Sequence, residues 1–96
     1  MPVASDLIQI RSGLFVWQRY DSAVKADLFS TAVVAGSGLY LVDPIPLADE
    51  CLAKLIDVAP MRGFVLTNGN HLRASGDYAK KFGVPIFARE IGRAHV

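Results

Sequence analysis

The segment Phe64 to Gly76, F-V-L-T-N-G-N-H-L-R-A-S-G, concentrates the side chains of this chain that could do chemistry. An apolar run, Phe64-Val65-Leu66, ends in Thr67. Short polar residues follow, and then a helical pattern closed by Gly83 and Pro85. Such a strand-loop-helix layout suits a metal-binding loop, so the donors decide what it can hold. Zinc takes imidazole nitrogen, thiolate or carboxylate, each a lone pair on a group that can meet a divalent charge. Asn68 and Asn70 offer only neutral amide oxygens, which suit hard ions such as calcium better. Leu72 offers no donor. Arg73 carries a guanidinium that stays protonated at ordinary pH and repels a cation placed beside it. His71 is the one imidazole in the segment, and one histidine does not make a binuclear site.

Other residues admit a chemical reading and a plainer one. Arg73, near the start of the second helical pattern, is a possible anion contact together with free backbone N–H groups, or a solvated surface arginine. Asn68-Gly69 has the composition of a tight hairpin turn, but the residues after it show helical spacing rather than alternation. Gly36-Ser37-Gly38 begins like a dinucleotide fingerprint, yet the third glycine is replaced by Leu41 and a strand follows, so a hairpin turn is expected. Cys51, the lone cysteine, excludes an internal disulfide and falls in a helical pattern where a small buried hydrophobe is expected.

The elements that position these residues follow from periodicity. Leu7, Ile8 and Ile10 begin a short strand that Gly13 ends, and Leu14 to Tyr20 is a second strand rich in aromatic and β-branched residues. Leu28 to Ala35 and Leu39 to Val42 read as a hairpin around the Gly36 turn. The period then changes. Leu47, Cys51, Leu55 and Ile56 recur at helical spacing opposite Glu50, Lys54 and Asp57. Met61 to Thr67 is a fifth strand, roughly Leu72 to Phe82 a second helix burying Leu72, Ala79 and Phe82, and Val84 to Ala88 a last strand. Lys80 and Lys81 suit the negative end of that helix, and Gly83 is its expected left-handed stop. The expected order is ββββαβαβ, an α/β (α+β) fold.

This order, with the Thr67 loop, resembles the metallo-β-lactamase fold superfamily, whose corresponding segment reads Thr-His-x-His-x-Asp-His-x-Gly-Gly. Aligned without gaps on Leu66-Thr67 and on Gly76, the family's ligand positions fall on Asn68, Asn70, Leu72 and Arg73, and His71 falls between ligands. The resemblance spans about residues 7 to 90 and implies the N-terminal half of an αββα sandwich over residues 1–90. In the family a further half supplies another histidine, a bridging aspartate and a final histidine. Asp43, after Leu41-Val42, matches an aspartate that orients the metal loop from outside the ligand set, although the family's glycine two residues later is Ile45 here. It also reads as an ordinary turn aspartate before Pro44. Zinc is the family's metal, but the replaced ligands imply no cofactor and no zinc-dependent hydrolysis in this chain. The alternative is an active hydrolase of an ester, thioester, lactam or phosphoester bond, with a single weakly held metal ion on His71 and Asp43.

Composition bounds the remaining possibilities. With 96 residues, a net charge of +1 and its 10 basic and 9 acidic side chains interspersed, the chain has no basic block for nucleic acid. Its longest apolar stretch, residues 32–45, is too short and too broken to span a bilayer. The start lacks the cationic and apolar regions of a secretory signal, so a reducing, cytoplasmic setting is expected. Counting Gly and leaving out Tyr, roughly 57% of residues are apolar, against about 45–50% usually. That surplus implies apolar surface meant for the missing C-terminal half of the same domain or for self-association; any small-molecule ligand is undefined. The last six residues, Ile91-Gly92-Arg93-Ala94-His95-Val96, match the translation of a common sequencing adapter and are read as non-native read-through, which removes His95 from the ligand candidates.

Overall fold

The computed structural model describes residues 3–68 and 73–88. Among the described residues, six strands and two helices follow one another as β1 (Ile8–Arg11), β2 (Leu14–Asp21), β3 (Ala26–Ala35), β4 (Gly38–Val42), α1 (Asp49–Val58), β5 (Met61–Leu66), α2 (Ser75–Phe82) and β6 (Ile86–Ala88). They form one sheet in sequence order. The first four strands pair antiparallel, as short connections allow, whereas β4, β5 and β6 pair parallel because a helix crosses over between each pair. The expected order ββββαβαβ is therefore the observed one.

Alternation along the strands sends one set of side chains toward the helices. Phe15, Trp17, Ala32, Leu39, Leu41 and Phe64 are buried there with Cys51, Leu52 and Leu55 of α1, forming the core. Cys51 is accordingly a buried thiol, and its Sγ lies 3.3 Å from the Ser5 carbonyl oxygen, which accepts its weak hydrogen bond. The segment before β1 is tied down where Ala4 exchanges backbone hydrogen bonds of 2.8 Å with Pro46 and Ala48.

Three local expectations are corrected. On α1 the buried residue is Leu52, while Ile56 is 37% exposed. The inward stripe is centred between Cys51, Leu52, Leu55 and Ala59, and Ile56 lies at its flank. The second helix starts at Ser75 instead of Leu72, because Arg73 adopts a left-handed backbone with φ of 46° and Ala74 turns its N–H to the Pro44 carbonyl at 3.0 Å. Ala79 and Phe82 are half-buried against the core, and Leu72 lies outside the described residues. The last strand is shorter than expected, beginning at Ile86 because Gly83, left-handed at φ of 65°, and Pro85 occupy the turn before it. The hairpin reading of Gly36-Ser37-Gly38 agrees with the turn between β3 and β4, where Gly36 has φ of 62°.

Candidate functional site

The loop after β5 meets the end of β4 at the carboxyl ends of two parallel strands, the edge at which open α/β sheets bind ligands. Asp43 stands at the first residue beyond β4. Its backbone is left-handed, with φ of 47°, a conformation that Asp tolerates better than most residues. The residue is buried, at 8% exposure. Oδ1 accepts the Thr67 backbone N–H at 2.9 Å, and Oδ2 accepts the Thr67 hydroxyl. Asp43 in turn donates its own N–H to the Val65 carbonyl at 2.9 Å. Both the main chain and the side chain of Asp43 thus fasten the end of β5 to the end of β4.

Arg73 reaches the same elbow from the other side of the loop. Its Nη1 donates to two carbonyl oxygens, that of Asp43 and that of Phe29 in β3, each at 2.7 Å. The side chain is half-buried, so the solvated-arginine reading gives way to a cationic tie between three segments. One guanidinium nitrogen is committed to main-chain carbonyls rather than to a ligand.

Several supporting residues were not singled out as functional by the sequence. Ser30 Oγ donates to the Asp43 carbonyl and accepts the Ile45 N–H, both at 2.8 Å. Trp17 Nε1 donates to the Ile45 carbonyl at 3.1 Å, and Tyr78 Oη accepts the Leu47 N–H at 2.9 Å. The irregular run Asp43 to Leu47 therefore has its backbone groups met by side chains from β2, β3 and α2, as buried non-repetitive backbone requires. A signal for Ser30 exists: it shares the inward face of β3 with Leu28 and Ala32, so a hydroxyl there calls for a partner. Burial raises the pKa of the Tyr78 phenol above its ordinary value near 10; the Leu47 N–H opposes the rise and Asp49 adds to it. Ser75, the first residue of α2, is fully buried, and its Oγ has no hydrogen-bond partner among the described residues.

Of the positions singled out in the loop, Asn68 is exposed and directly follows Thr67, while Asn70, His71 and Leu72 lie outside the described residues. Among the described residues no three His, Cys, Asp or Glu side chains come together as a metal would need. None of the described helices is long and apolar enough to cross a membrane.

The family model of the metallo-β-lactamase superfamily matches residues 8–93, and the chain belongs to that superfamily. Its fold is similar to that of the DIM-1 metallo-β-lactamase, at 16% identity and a TM-score of 0.62, over 91% of this chain and 42% of that one. The same enzyme exposed to ceftazidime gives 15% identity and a TM-score of 0.66, over 91% and 43%. The mono-zinc form of FIM-1 from Pseudomonas aeruginosa gives 18% and 0.57, over 86% and 41%. The chain thus spans less than half the length of these solved relatives. No curated protein sequence matches it.

Proposed function

We propose that this chain keeps the loop frame of a metallo-β-lactamase domain without its zinc-dependent hydrolysis, and serves as a binding or structural module. The observation that carries the reading is the donor set. Asn68, Asn70, Leu72 and Arg73 stand where the superfamily places three histidines and an aspartate, and they do not fit zinc: two carboxamides, an alkyl group and a permanent cation cannot ionise a bound water. The geometry supports the same reading, because the Arg73 guanidinium is anchored 2.7 Å from the Asp43 carbonyl and brings a fixed positive charge to the end of β4. Asp43 itself is occupied in holding Thr67, which favours a positioning role over service as a metal ligand.

The reading also covers residues 1–90 as part of a longer αββα domain, with residues 91–96 as non-native sequence. Its test is restoration. A variant carrying Asn68→His, Asn70→His, Leu72→Asp and Arg73→His is expected to take up zinc that the parent does not retain. Zinc uptake by the parent equal to that of the variant would defeat the reading.

A further inference from the structure

We draw no further inference here: the strongest candidate, the buried Ser75 hydroxyl in the first turn of α2, which has no hydrogen-bond partner among the described residues and follows Arg73 by two positions, belongs to the site already described, and nothing in the structure turns it toward a ligand.

Discussion

At the scale of single residues, Asp43 organises the loop more than any other described side chain. Its carboxylate satisfies the Thr67 N–H and hydroxyl, and its carbonyl receives Ser30 and Arg73. Asp43→Ala removes both acceptors of a part-buried donor pair and should cost about 1–3 kcal/mol in a urea unfolding experiment. Thr67→Val, which keeps the backbone N–H bond and loses only the hydroxyl, should cost about 1 kcal/mol. Equal losses for the two would contradict the assignment of Asp43 as the organiser. Tyr78 gives a pH-dependent counterpart. Its folded-state value lies above the unfolded value near 10, so the folded protein retains a proton that the unfolded chain has released. This contribution is therefore whole below about pH 10 and falls as the pH rises through the folded value. Tyr78→Phe should flatten that alkaline limb and cost about 1 kcal/mol at neutral pH, because the Leu47 N–H loses its acceptor.

Between elements, the contacts that fix spacing involve two glycines. Gly63 lies in β5 under the Phe87 ring, with the Pro85 carbonyl oxygen 3.2 Å from where a Cβ would sit. Gly63→Ala should cost about 1–3 kcal/mol by forcing β6 away from β5, measurable as a lowered urea midpoint. Gly83→Ala should cost about 1 kcal/mol, because Gly83 closes α2 in a left-handed conformation and donates to the Ala79 carbonyl at 2.8 Å. The Gly83 stop and the Gly36 turn were legible in the sequence because the chemistry of each turn resides in its own few residues. So were all eight elements, since strand alternation and helical spacing are local. The start of α2 was not, because Arg73 is pulled left-handed by carbonyls 30 and 44 residues earlier in the chain. The burial of Leu52 over Ile56 was likewise decided by how α1 is rotated against the sheet. Asp43 was legible as a candidate from its place after a strand, while its partners Ser30 and Arg73 required the register of β3 against β4.

For the whole molecule, a sheet covered by helices on one face explains the apolar surplus in the composition: the excess side chains stand in rows on the open face. Removal of residues 91–96 should leave the melting temperature within about 1 °C if that hexapeptide is foreign to the fold, as differential scanning calorimetry would show. The central claim concerns the loop, whose frame belongs to a zinc-binding superfamily and whose donors do not suit zinc. Its most direct test is the metal content of the 96-residue protein after equilibration with excess zinc and desalting, read by inductively coupled plasma mass spectrometry. The account predicts a small fraction of one zinc per chain. One or two zinc ions retained per chain, and lost on Asn68→Ala together with His71→Ala, would contradict it.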